Sequence, residues 1–283
     1  MRHIVRNRIA DVWRPVQKIL DNVRSVQRLT ILNYHSVMDA SAARVGCIAP
    51  EVFDSHINML VERYNVLPLT NALEMVYSSS LPDRSVCITF DDGYVDNYEN
   101  AFPTLVKYKC PATIFVVSDF IEGAVKLVDD ARFGPMTWDQ LREMTDSGLV
   151  EIQSHTKSHR IMSHLGEQDI SIELNESKST IVDNLGNRCD MIAYPNGQPG
   201  DFGELIEQAT SRSGYQYAFS TNWERASRKS RTRAIPRIRI DPEDTTIQLK
   251  KKIEGHYDFV GIIQRARANL GIESTSANAG TRI

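Results

Sequence analysis

A chain of 283 residues, 41% hydrophobic and 24% charged, has ample apolar material for a folded core and no bias toward disorder. Its 33 basic residues are balanced by 36 acidic ones for a net charge of -3, which argues against a nucleic-acid binder. The four cysteines, Cys47, Cys87, Cys110 and Cys189, form no Cys-x-x-Cys pair, and so suggest neither a disulfide framework nor a thiolate zinc site.

Residues 1–28 carry seven Lys or Arg against two Asp, with Val5, Ile9, Val12, Val16 and Val23 at helical spacing. This is a basic amphipathic helix. It can pack against the main domain or a second copy, or lie on an anionic membrane surface with Trp13 at the interface; packing is the expectation, since Pro15 interrupts it. The N-terminus lacks the apolar run of a secretory signal, and no later segment approaches the roughly 20 apolar residues of a membrane span. The expected location is cytoplasmic, with peripheral membrane contact through residues 1–28 as the open alternative.

From Leu29 onward, short apolar runs read as strands: Leu29–Tyr34, Val66–Leu69, Val86–Phe90 (with Cys87 a buried thiol), Ala112–Val117, Leu149–Gln153, Met191–Tyr194, Tyr215–Phe219 and Ala234–Ile240. Helical patterns lie between them. Pro50–Tyr64 sets Val52, Phe53, His56, Ile57 and Leu60 on one face, and Trp138–Ser147 opens with a Thr137/Gln140 capping box and closes on Gly148. Such alternation predicts an α/β fold with a parallel sheet, closed as a barrel or open and doubly wound. No linker divides it. One domain is expected over residues 29–271, followed by a polar tail over 272–283.

Two motifs carry chemistry. Thr89-Phe90-Asp91-Asp92-Gly93-Tyr94 follows an apolar strand, placing two carboxylates where parallel α/β proteins bind ligands. One of the pair can hold a metal while the other faces a reacting water, although an aspartate there can equally cap the next helix. The run Leu149–Gln153 leads into Ser154-His155-Thr156-Lys157-Ser158-His159-Arg160, where two histidines four apart can share a face as metal ligands. With Asp92 they make two nitrogens and one oxygen, leaving positions open for water and substrate. His164 breaks the spacing and reads as a surface residue.

Together with Ala193-Tyr194-Pro195-Asn196-Gly197, these motifs resemble the NodB-homology polysaccharide deacetylases, carbohydrate esterase family four, over roughly residues 29–240. The strand Pro111-Ala112-Thr113-Ile114-Phe115 and the helix start Thr137-Trp138 are similar too. The resemblance implies a distorted (β/α) barrel of about seven strands and hydrolysis of an N-acetyl amide by a metal-activated water. By position, Asp91 becomes the general base and Asp92, His155 and His159 the ligands of a divalent metal, zinc first, with cobalt, nickel or manganese as alternatives. A backbone N–H near Tyr94 or Asn196 is implied as the oxyanion donor.

The chain departs from the family pattern twice. The third motif usually begins with an arginine that contacts the base; Ala193 stands there instead, and Arg237, in Ile235-Pro236-Arg237-Ile238, is the candidate substitute. The late Leu-x-Ile-x-His motif that supplies a general acid is absent. Tyr34-His35 resembles a branch whose acid histidine comes from the N-terminal side, so His35 is the candidate acid, with a hydrogen-bonded core histidine as the alternative.

The expected function is removal of the acetyl group from an N-acetylated sugar or polysaccharide. Removal of a formyl or acetyl group from a lipid-linked or nucleotide-linked sugar precursor is the second reading; Arg225, Arg228, Lys229, Arg231 and Arg233 could hold a carrier phosphate, with a solvated basic loop as the expectation for that run. A catalytically silent carbohydrate-binding module is the third, and an unpaired base beside three ligands argues against it.

Overall fold

The computed structural model describes Trp13, residues 27–39 and residues 46–270. Ten strands are formed among the described residues: β1 (Thr30–Tyr34), β2 (Ser36–Val37), β3 (Cys47–Ile48), β4 (Asn65–Val66), β5 (Ser85–Asp92), β6 (Ala112–Val116), β7 (Val150–Ser154), β8 (Met191–Ala193), β9 (Tyr217–Phe219) and β10 (Ile238–Arg239). The main sheet is parallel throughout and runs β10-β1-β5-β6-β7-β8-β9, with β4 pairing on the start of β5. β2 and β3 pair with each other in a separate two-stranded sheet. Nine helices among the described residues cover the sheet: α1 (Pro50–Arg63), α2 (Leu69–Ser78), α3 (Phe102–Tyr108), α4 (Ser118–Ile121), α5 (Trp138–Asp146), α6 (Glu167–Leu185), α7 (Glu204–Arg212), α8 (Thr246–Ile253) and α9 (Asp258–Asn269).

Strand pleating sorts the core into two layers. All eight residues of β5 are buried, and Val86, Ile88 and Phe90 join the large cluster shared with Phe53, Ile57 and Leu60 of α1. Cys87, on the opposite face, meets Ile31, Phe115, Met191, Ala193, Phe219 and Ile235 in a smaller cluster, the inside of the curled sheet. Burying each such side chain contributes about 2 kcal/mol.

One stretch closes the curl. Ile235 N donates to the Ala218 carbonyl and Ser220 N to the Ile235 carbonyl, both at 2.9 Å, so the chain before Pro236 pairs with β9. Pro236 has no N–H to continue that ladder. Past it, Ile238 pairs with Leu32 and Ile240 N donates to the Asn33 carbonyl at 2.9 Å, so the remainder pairs with β1. The single strand expected over Ala234–Ile240 is therefore two short pairings with different partners. The expected strand Val66–Leu69 is also cut short: Leu67 N still reaches the Val86 carbonyl at 2.9 Å, but Pro68 ends the ladder and Leu69 begins α2. The Thr137/Gln140 capping box forms as expected, its two bonds 2.8 and 3.2 Å long.

The N-terminal helix expected over residues 1–28 and the tail over 272–283 lie outside the described residues, apart from Trp13 and residues 27 and 28. Trp13 is helical and half-buried, and its ring meets Phe259 of α9 edge-on at 6.1 Å, beside Trp223 and Tyr257.

Candidate active site

The end of β5 delivers two carboxylates in different directions. Asp91 follows Cys87 and Thr89 on the inner face of the curl, where it meets Arg237 from the seam. The guanidinium grips it with two bonds, Nη1 to Oδ1 at 2.6 Å and Nη2 to Oδ2 at 2.7 Å, and Asn33 Nδ2 adds a third at 3.0 Å. Arg237 is fully buried, over the rings of Phe115 and Phe219 at 5.2 and 5.9 Å, and also donates to Thr89 Oγ1 at 3.3 Å. Burial alone would raise the Asp91 pKa; the charge of Arg237, then of His155, its hydrogen bonds to Arg237 and the charge of His35 outweigh that and hold the carboxyl well below the usual range. Asp91 is ionised.

At Asp92 the chain leaves the sheet with a left-handed φ of 79° and turns through Gly93 at 93°. A Cβ on Gly93 would come within 3.1 Å of Val116 and Ile121, so glycine is required twice over. The turn swings Asp92 toward the loop after β7. Its Oδ1 lies 3.5 Å from His155 Nε2 and 3.4 Å from His159 Nε2, and the three donor atoms fall within 4.8 Å of one another. Asp92 Oδ1 is buried without a hydrogen-bond partner. His155 Nδ1 is 2.8 Å from the Ala193 carbonyl, and since a carbonyl only accepts, Nδ1 carries the proton and Nε2 turns its lone pair inward. Burial, the dominant cause, lowers the His155 pKa to about 4 against the opposing charge of Asp91, keeping it neutral. Two imidazole nitrogens and an orphaned carboxylate oxygen in one corner, open to solvent only on the His159 side, fit a divalent cation.

His35 follows β1, half-buried, with Nδ1 unpartnered. Burial lowers its pKa, opposed by the charges of Asp92 and Asp91 and reinforced by those of Arg239 and Arg237. Its segment is clasped from the far side of the Asp-Asp motif. Asn97 Nδ2 donates to the His35 carbonyl at 2.8 Å, and Asp96 accepts from Ser36 Oγ and Val37 N, both at 2.7 Å. Asp96 precedes and Asn97 opens a π-helical turn over Asn97–Ala101, and neither they nor Asn33 stand out in the sequence. Their only signal is the short polar pair itself, three and four positions after Gly93, which a helix start explains as well.

Tyr94 packs its buried ring between Phe120 and Phe133, and burial, then the charge of Asp92, pushes its hydroxyl pKa far up. Asn196 takes a left-handed φ of 57°; its side chain is held by Asp201 at 2.6 Å and its carbonyl by Thr221 Oγ1 at 2.7 Å. Among the described residues, the backbone N–H groups of Tyr94 and Asn196 have no acceptor. His164 is exposed on a short 3-10 turn.

The basic run lies at the opposite end of the barrel. Ala226 bridges Leu29 at the start of β1, Arg225 pairs with Asp258 at 2.9 Å and Arg231 with Glu207 at 3.0 Å, Arg228 reaches Ser79 Oγ, and Arg233 binds the Gln216 carbonyl. These four side chains are engaged with neighbours at that end of the fold, away from the paired carboxylates and histidines. A cleft of 310 Å³ also opens at that end, lined by Glu74, Glu151, Arg188 and Tyr217, and contains none of the paired carboxylates or histidines described above.

The sequence profile of the polysaccharide deacetylase family matches residues 78–218. Bacillus subtilis (strain 168) YxkH, a polysaccharide deacetylase by name, is 32% identical over 217 residues, 76% of this chain and 72% of its own. A Staphylococcus aureus (strain MRSA252) poly-beta-1,6-N-acetyl-D-glucosamine N-deacetylase is 28% identical over 84% of this chain and 83% of its own. Among solved structures, the Streptococcus pyogenes deacetylase PplD in complex with acetate superimposes with a TM-score of 0.72 at 26% identity, covering 81% of this chain and 99% of that one. The curled parallel sheet is the NodB-like (β/α) barrel of these deacetylases.

Proposed function

Since this chain belongs to the polysaccharide deacetylase family, we propose that it is a divalent-metal-dependent hydrolase that removes acetyl groups from a polymer of N-acetylated glucosamine. The observation that carries this reading is the convergence of Asp92, His155 and His159 within 4.8 Å, beside an Asp91 locked in its ionised form by Arg237. The substrate class is taken from the Staphylococcus aureus relative, whose name specifies poly-N-acetylglucosamine.

Asp92, His155 and His159 would hold the metal, zinc first by its affinity for two imidazoles and a carboxylate, and the metal would polarise the amide carbonyl and acidify water. Asp91 takes the proton of the attacking water. Arg237 and Asn33 fix the direction of its lone pairs, so the base is aimed before substrate arrives. The Tyr94 and Asn196 N–H groups, which meet no acceptor among the described residues, are the candidate donors to the developing oxyanion. His35 is the candidate acid toward the leaving amine. Its lowered pKa leaves it neutral at rest, so it must acquire within the reaction the proton it passes on; the alternative is that Asp91 returns the proton itself.

The test is acetate release from β-1,6- and β-1,4-linked N-acetylglucosamine oligomers by the full chain, chelator-stripped and reloaded with zinc or cobalt. Release that requires metal and disappears in Asp91→Asn supports the reading; release unaffected by stripping refutes it. His35→Ala separates the two proton routes, because near-full activity in that variant assigns both transfers to Asp91.

A further inference from the structure

Glu173 of α6 is 3% exposed, and both of its carboxylate oxygens bond to one residue. Ser158 N donates to Oε2 at 2.8 Å, and the Ser158 hydroxyl makes a short bond to Oε1. Among the described residues no lysine or arginine forms an ion pair with it, and the adjacent Lys157 pairs with Glu176 at 2.7 Å instead. A buried carboxylate without a cation is destabilising relative to a well-packed apolar side chain. Its presence points to what Ser158 belongs to.

Ser158 sits between the two histidines, in a loop whose Thr156 and His159 both take left-handed φ angles, 68° and 63°. Each costs about 1 kcal/mol or more in a residue other than glycine, so the surroundings must impose them. The first half of the loop is held repeatedly: His155 N donates to the Val116 carbonyl at 2.8 Å, Ser118 N to Thr156 O at 3.3 Å and Asp119 N to Lys157 O at 2.9 Å. The second half is held by less. His159 N donates to Thr156 Oγ1 at 3.2 Å, and among the described residues its ring makes no hydrogen bond, Asp92 Oδ1 standing 3.4 Å from Nε2. The path of the chain into His159 is therefore held by that bond and by the two from Ser158 to Glu173.

We infer that Glu173 is a positioning residue of the metal site: acting through Ser158, it holds His159 where Nε2 meets Asp92 and His155, and thereby sets metal affinity. This rests on the metal-dependent reading above. It is tested by the zinc dissociation constant of the full chain, from chelator competition, for the unmodified protein, Glu173→Ala and Glu173→Gln, alongside the melting temperature of each metal-free protein. Removing an outer partner of a ligand typically weakens metal binding by about 10–100-fold, and that loss is expected in Glu173→Ala. Glu173→Gln, which keeps an acceptor for Ser158 N but loses the charge, is expected to fall between. Unchanged zinc affinity in Glu173→Ala, even with a lowered melting temperature, overturns the inference; should that variant not fold, unchanged affinity in Glu173→Gln does so. Absence of zinc binding by the unmodified protein refutes the metal-dependent reading instead.

Discussion

Asp91 and Arg237, 146 residues apart in sequence, meet in a two-bond ion pair of 2.6 and 2.7 Å with the arginine wholly shielded from water. Planar, bidentate pairing suits guanidinium and carboxylate and neither a lysine nor a single hydrogen bond. Truncating one partner leaves the other as an uncompensated buried charge, which costs about 3–5 kcal/mol. Arg237→Ala should therefore lower chemical-denaturation stability by that order. It also removes the largest influence lowering the Asp91 pKa, so the acid limb of the kcat/KM profile should move to higher pH. Arg237→Lys should shift it less. An acid limb that stays in place in both variants would show that the arginine does not tune the base.

Metal addition should be visible in stability as well as in turnover. A ligand that binds only the folded state at 1,000 times its Kd adds about 4 kcal/mol, and zinc at that excess should raise the melting temperature accordingly. His155→Ala, which removes one of the three converging donors, should lose most of that increment. Equal zinc-induced shifts in the two proteins would exclude His155 as a ligand.

His56 supplies a pH dependence remote from the site. Its Nε2 donates to the Asp244 carbonyl at 2.8 Å, so Nδ1 is the acceptor for the Tyr34 hydroxyl at 3.2 Å, and only the neutral ring satisfies both. Burial above all lowers its pKa from 6.5 to about 4. The folded state thus takes up this proton less readily than the unfolded chain. The contribution is fully present above pH 6.5 and is lost as pH falls toward 4, on the order of 3 kcal/mol in all. Denaturation midpoints of metal-free protein between pH 7.5 and 4 should show the loss, and His56→Gln, less stable at pH 7.5, should show a shallower slope.

Gly197 follows Asn196 with a φ of 61°, and a Cβ there would approach the Tyr194 carbonyl to 2.9 Å. Gly197→Ala should cost roughly 2 kcal/mol of stability from the left-handed backbone and the clash together. Because the displaced turn carries the Asn196 N–H, kcat should fall more than KM rises. Wild-type kcat in a destabilised variant would remove this turn from the reaction.

The paired aspartates and histidines were readable in the sequence because each pair lies within a few residues at a strand end, where a local pattern is enough. What holds them was not. Asn33, Asp96, Asn97 and Glu173 are ordinary polar residues whose bonds span 58, 59, 62 and 15 positions to Asp91, Val37, His35 and Ser158. Arg237 could be suspected only because Ala193 leaves a gap in the family pattern, and no local feature distinguishes it from Arg231 or Arg233, which serve the other end of the barrel. The strand Ala234–Ile240 was misjudged for a related reason. Its apolar alternation is real, but Pro236 divides it between two partners, and strand pairing across 200 residues leaves no mark in a window of seven.

That divided stretch has a bearing on how the protein becomes active. Arg237 stands one residue past the proline, between the portion paired to β9 and the portion paired to β1, so the barrel's last joint and the counter-charge of Asp91 are delivered by the same few peptide groups. A chain that has folded every earlier strand but not yet docked this one holds Asp91 at the rim with no guanidinium beside it. On the proposed mechanism turnover waits on completion of the fold, since without this joint Asp91 has no guanidinium to aim it.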